Sequence, residues 1–297
     1  MDYFLSLLIS GLVLGIIYAL MALGLTLIFS ILNVINFAHG EFYMLGGYAS
    51  YLILQIFTGL HPLLIVPVSG VLIGAIGILF EIFFLRPMHD ERIARPAEYA
   101  VLVTFGLSFF FQNLALAAFG PLPHSPPSFF DGSVQLGPVF ISADRLTAGL
   151  ISLLLLGTLL LLINRTWLGK ALRAVSQDKQ AAAVVGINPN VMNTVAFGLG
   201  VGLAAVAGAL LAPVFSVSPD VGAVPAIRSY IIIVLGGMGS LPGSILGGLV
   251  IGLVESFGAG YYPDPSRALN YKTAFGLVIF ALVLLFRPRG FFGRKEA

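Results

Sequence analysis

Apolar residues fill this chain in long blocks, separated by short breaks rich in Gly, Pro or charge. The blocks fall at 3–29, 42–57, 63–85, 99–119, 146–163, 191–212, 231–257 and 273–286. About 20 apolar residues let a helix cross a bilayer. Residues 146–163 are Leu-rich and carry no charge, which makes them the plainest transmembrane helix of the set. Open strands cannot satisfy their backbone groups in lipid, and long Leu/Gly/Ala runs do not alternate as barrel strands do. The pattern therefore predicts an all-α fold, a polytopic transmembrane helical bundle of about eight membrane-embedded helices. One domain, 1–297, accounts for the whole pattern.

The breaks carry further information. Non-helical backbone at membrane depth is tolerated only inside protein or beside water. The breaks at 33–41 and 236–243 thus predict two broken or re-entrant elements. The first contains Asn36, His39 and Glu41, and the second Gly236, Gly237 and Gly239. Polar groups at depth often line a pathway, and interrupted segments in both halves of a chain point to a transport site. These six are the candidate translocation-path residues. The plain structural alternatives are that 33–41 caps helix ends at the cytoplasmic boundary and that 236–243 is the bend of a packing hairpin. No residue-level internal repeat supports the pairing. Between 120 and 145, Pro121, Pro123, Pro126, Pro127 and Pro138 forbid a continuous helix.

Composition makes the solvent explicit. Charged residues are 9% of 297 and the AVILMFWYC set is 58%, with a mean hydropathy of +1.01, whereas soluble domains carry about 25% charge. The bilayer is the implied environment, and a net charge of +2 gives no reason to expect nucleic acid. The absence of Cys excludes disulfides, thiolate metal sites and Cys nucleophiles, and no metal site or catalytic residue is expected. Before Glu41 the only acid is Asp2, so no positive n-region precedes the first block, which reads as a retained span rather than a cleaved signal.

Basic residues orient the chain. None precedes Arg86. They then cluster at Arg86, Arg92 and Arg95, at Arg165, Lys170, Arg173 and Lys179, and at Arg287, Arg289, Arg294 and Lys295. The positive-inside rule places these segments in the cytoplasm, with the N-terminus outside and the C-terminus inside. The block at 231–257 then enters and leaves on one side, as a hairpin or re-entrant element. Among isolated polar residues, Glu81 is expected to snorkel, Gln112 and Asn113 to bond between helices, and Glu255 to sit near the outer boundary.

Segment 169–188 is too polar to span and rich in helix formers. Ala171, Leu172, Ala174, Val175, Ala181, Ala182 and Val185 give it a smooth apolar surface, and Gly186 and Pro189 stop it. It reads either as a short cytoplasmic helix that a partner grips or as an interfacial connection. The chain has no G-x-x-x-x-G-K-[ST], no H-E-x-x-H and no G-x-S-x-G. It also lacks a deep set of closely spaced carboxylates. The simplest energy source is another subunit. The competing classes are a stand-alone ion-coupled carrier, an intramembrane enzyme built on His39 and Glu41, and a purely structural membrane subunit.

Four blocks together carry a family resemblance: NVINFAHGEFYMLGGY (33–48), RPMHDERIARP with FGLSFFFQN (86–96, 105–113), GKALRAVSQDKQAAAVVGIN (169–188) and VLGGMGSLPGSILGGLVIGLVE (234–255). In order, and over essentially the whole chain, they resemble the LivH-type permease subunits of branched-chain amino-acid ABC importers. The resemblance implies a multi-pass protein of a bacterial inner membrane. It also implies a second homologous permease, two cytoplasmic ATPases that bind the ATP, and a periplasmic solute-binding protein. Gln180-Ala181-Ala182-x-x-x-Gly186 is similar to the importers' E-A-A-x-x-x-G motif, with Gln for Glu. It implies ATPase coupling through Arg173, Asp178, Gln180, Ala181, Ala182 and Gly186. Related permeases serve other amino acids, urea and short amides.

Overall fold

The computed structural model describes residues 2–89, 93–137 and 139–293. Arg92, Pro138, Arg294 and Lys295, named above, lie outside the described residues. The first apolar block becomes α1, Asp2–Leu32, of 31 residues. At 1.5 Å per residue it is about 46 Å long, well beyond a ~30 Å hydrocarbon core. α2 is His39–Ile56. α3, Pro62–Phe80, continues through a π-helical turn, Glu81–Leu85. α4 is Pro96–Phe119 and α5 is Ala143–Arg165. Two short helices, α6 (Trp167–Gln177) and α7 (Lys179–Val184), lead into α8, Pro189–Phe215. α9 (Ala223–Gly236), α10 (Leu241–Gly260) and α11 (Pro265–Phe286) follow. Among the described residues, α1, α3 with its extension, α4, α5, α8 and α10 are the six helices long and apolar enough to cross a membrane.

Local chemistry sets where the helices start. The side chains of Thr166, Asn188 and Ser240 accept from backbone N–H groups in the first turns of α6, α8 and α10, which satisfies donors a helix cannot satisfy itself. The all-α expectation needs one correction. Ser133–Leu136 (β1) pairs antiparallel with Val139–Ser142 (β2) inside the Pro-rich 120–145 segment. Val134, Val139, Phe140 and Ile141 favour a strand, and a hairpin outside the lipid layer can give its edges to water.

Burial separates the helices into a centre and a rim. The apolar windows of α1 and α8 are 83% and 78% buried, while that of α4 is 17% buried and faces outward. α1 and α8 cross antiparallel through Gly24 and Gly200. A Cβ on either glycine would land on the other's carbonyl oxygen, so the backbones touch where only Gly fits. α10 lies along α1, and α3 lies along α8.

The two central helices end alike. Asn33 follows α1 and Ser216 follows α8, each at φ 60, the two non-glycine residues with positive φ among the described residues. Each is followed by a short irregular segment that doubles back, and then by a new helix that starts inside the bundle. His39, the first residue of α2, places Nε2 3.0 Å from Met21 O. Met21 lies eleven residues before the end of α1, about 16 Å back along the helix. The start of α9 meets the start of α2, since a Cβ on Gly40 or on Gly222 would strike the other's backbone. α2 and α9 leave this meeting point in opposite directions. The break in the second half that matches 33–38 is thus 216–222.

The basic clusters converge on one end of the bundle. Arg86 reaches Thr194 at the start of α8, and Arg173 and Arg289 line a shared cavity. The hairpin bend between α9 and α10 lies at this end too, with Gly239 beside Ser30 of α1.

Candidate functional site

The break after α1 gathers buried polar groups. Asn36 and His39 are fully buried and Glu41 is 7% exposed. Asn36 Oδ1 accepts from Ala38 N at 3.1 Å, which turns the chain, and Tyr230 OH on α9 donates to Asn36 O at 3.0 Å. Because Met21 O can only accept, His39 Nε2 carries the hydrogen between them. Ser108 Oγ of α4 donates to Glu41 Oε1 at 2.9 Å. Asn36 Nδ2, His39 Nδ1 and Glu41 Oε2 have no hydrogen-bond partner. Three orphaned polar atoms at one buried break are unusual, because buried polar groups are nearly always paired with protein or water. His39 starts α2 beside Met21, near the middle of α1, so this helix begins within the bundle.

Gly236, Gly237 and Gly239 do not join them. Gly237 (φ 98) and Gly239 (φ 83) turn the hairpin at the basic end, where positive φ demands Gly. Gly236 lies against Gly243, and a Cβ on Gly237 would meet Phe292 and Gly293. The C-terminal segment is stitched to this bend by Phe291 N to Leu235 O (2.9 Å) and Phe292 N to Gly236 O (3.0 Å). Beside the bend, a cavity of about 890 Å³ opens at the basic end, lined by Ser30, Asn33, Arg173, Ser176, Gly239 and Arg289 among others.

A second cavity, of about 270 Å³, lies at the break between α8 and α9 and is lined by residues of α1, α2, α8 and α9. Next to it is a buried ion cluster. Arg228 Nε of α9 donates to Glu255 Oε1 of α10 at 2.7 Å, Lys272 Nζ of α11 lies 3.8 Å from Oε2, and Tyr18 OH donates to Oε2 at 3.2 Å. The Arg228 guanidinium sits 4.9 Å from the Tyr18 ring centroid. Glu255 is 1% exposed, and two cations and a hydroxyl replace its water. Glu255→Leu leaves two partly buried cations, 14% and 18% exposed, without their counter-ion, and removing one partner of a fully buried pair costs about 3–5 kcal/mol, an upper bound here. A fall of many degrees in the thermal midpoint of the detergent-solubilised protein is the expected result.

Glu81, expected to snorkel, is turned inward instead. It is 1% exposed and accepts from Thr194 Oγ1 at 2.6 Å, with Arg86 3.7 Å away. The π-helical turn that begins at Glu81 is thereby tied to α8. Asn113 donates to Phe109 O of its own helix rather than to a neighbour.

Segment 169–188 forms two helices, not one. Asp178 is extended (φ −154, ψ 111), and its carboxylate accepts from Gln180 N and Ala181 N. An N-cap Asp competes with continuation of the preceding helix, which places the break there. The expected apolar surface is divided. Ala171, Leu172, Val175 and Ala182 are buried against the bundle, whereas Ala181 and Gln180 are exposed. Val184 and Val185, 88% and 73% exposed, stand at the tip. Burial pushes the Lys179 ammonium below its usual range. Gly186 (φ 87) closes α7, with Ile187 N bonded to Ala182 O. Arg173 Nη1 donates to Asn164 Oδ1 at 2.9 Å, linking α6 to the end of α5.

Val184 and the 216–222 break were missed in the sequence. Pro219, Asp220 and Gly222 gave a signal, but the same residues also describe an ordinary external loop.

Long lipid-compatible helices, helices that begin within the bundle, and an amphipathic element at the basic end define a polytopic membrane permease. The family model described as branched-chain amino acid transport system / permease component matches residues 7–286, and the chain belongs to that family. It is 35% identical to the high-affinity branched-chain amino acid transport system permease protein BraD of Pseudomonas aeruginosa, over 99% of this chain and 97% of that one. It is 31% identical, with the same coverage, to the corresponding permease protein LivH of Escherichia coli. Among solved structures, PsaBC from Streptococcus pneumoniae in complex with Fab shares the fold at a TM-score of 0.50 and 16% identity, covering 97% of this chain and 93% of that one.

Proposed function

We propose that this chain is a permease subunit of an ATP-binding-cassette importer. With a second permease it forms the translocation path for branched-chain amino acids across a bacterial inner membrane. Two cytoplasmic ATPases supply the energy, and a periplasmic binding protein delivers the solute. The observation that carries this reading is membership of the permease family across residues 7–286. Convergence of the basic clusters on the end that bears α6 and α7 supports a cytoplasmic location for that end, with the N-terminus outside and the C-terminus inside. The exposed Val184 and Val185 give an ATPase a rigid apolar tip to grip, and the inward face of α6 and α7 carries the force into α5 and α8. The mid-depth breaks are where a solute meets backbone groups not used by a helix. The test is reconstitution in vesicles with the cognate permease, ATPases and binding protein. Leucine uptake is expected only with ATP. Uptake by the single chain under an ion gradient, or uptake of urea or short amides in place of leucine, overturns the reading.

A further inference from the structure

The cavity at the α8–α9 break holds one charge of each sign between apolar walls. Its walls are apolar, contributed by Ile17, Met21, Leu211 and Val224, and its charged members are Asp220 and Arg228. Asp220 precedes α9 and accepts from Ser218 Oγ through Oδ1, which leaves Oδ2 outside that bond. Arg228 is on α9, and its guanidinium lies against Glu255 and the Tyr18 ring while lining the same cavity as Asp220. Its bond to Glu255 uses only Nε of a five-donor fork. The carbonyl end of α8, at Phe215 in the cavity wall, adds partial negative charge. At about 270 Å³ the cavity is just under the ~300–1,000 Å³ of small-molecule sites and suits one small solute.

We infer that this cavity is a transit site for a zwitterion with an aliphatic side chain. Arg228 faces the carboxylate, Asp220 and the end of α8 face the ammonium, and the apolar wall takes the side chain. The inference rests on the amino-acid importer reading and names the residues that reading leaves open. Opposite charges at one cavity discriminate in both directions. A solute lacking either charge forgoes one charge-assisted contact, which costs about tenfold in occupancy.

The test uses the assembled importer in nanodiscs, without binding protein, and a leucine analogue with a photolysable diazirine on its side chain. Irradiation is expected to label peptides within 211–228 and 17–21. Leucine competes, whereas 3-methylbutylamine and 4-methylpentanoate, each lacking one charge, compete about tenfold less well. Asp220→Asn, at an exposed position, erases the preference for leucine over 4-methylpentanoate. Arg228→Gln erases the preference over 3-methylbutylamine. Labelling elsewhere, or equal competition by the three compounds, overturns the inference. ATP-driven leucine uptake in that case would leave the importer reading standing. Absence of leucine uptake with the complete set of subunits would remove the importer reading itself.

Discussion

Exchanging Val184 and Val185 together for Glu is expected to lower ATP-driven uptake by the assembled importer at least roughly tenfold, with the chain still folded. Both side chains lie at the tip of α7 and make little use of their apolar surface within the chain. Exposed apolar pairs on a rigid element read as contact sites for another protein. Two carboxylates forced into an apolar contact lose water without gaining partners, at several kcal/mol each. Uptake and binding-protein-stimulated ATPase activity should fall together, while the free chain keeps its elution profile in size-exclusion chromatography. Ala182→Glu gives a different result. Ala182 is 3% exposed, so the change dislodges α7 from the bundle and broadens the elution profile itself. Unchanged uptake in the double Val variant would remove α7 from the coupling path.

Replacing Gly24 or Gly200 by Leu is expected to abolish the folded protein. The two residues place α1 and α8 in backbone contact, and even one carbon on either would overlap the other's carbonyl oxygen. Overpacking a tight core by a methylene or two costs about 1–3 kcal/mol, and here the obstacle is backbone, which cannot rotate away. Yield of monodisperse protein after detergent extraction is the measure. Gly106→Ala and Gly157→Ala are the matched controls, since both lie in helices with nothing near the new carbon. They should be neutral or slightly stabilising by helix propensity. A normal yield for Gly24→Leu would show that α1 and α8 do not cross at this point.

The helix layout was legible because lipid leaves so few solutions. Residues 146–163 became α5 and residues 191–212 became α8, each extended by a few residues at both ends. Gly186 stopped α7 as its chemistry requires. The candidate coupling surface was only half legible. Asp178 could have been read as an N-cap, but a single helix is the simpler pattern for alternating Ala and polar residues. The candidate path was least legible. Asn36, His39 and Glu41 read more readily as boundary caps than as path residues, and Glu81 read as a snorkelling carboxylate, because sequence does not show which helices will cover a side chain.

Composition and block length settled, without any coordinates, that lipid solvates this chain, that its spans are helical and which end carries the positive charge. These follow from solvation, which acts on each residue by type. Tertiary structure alone settled that α2 and α9 begin beside each other at Gly40 and Gly222, that 216–222 rather than 236–243 is the counterpart of the first break, and that Arg228, Glu255 and Lys272 share one buried site. Those facts depend on where the backbone doubles back, at Asn33 and Ser216. Such a reversal is set by the packing of distant helices, which no local pattern records.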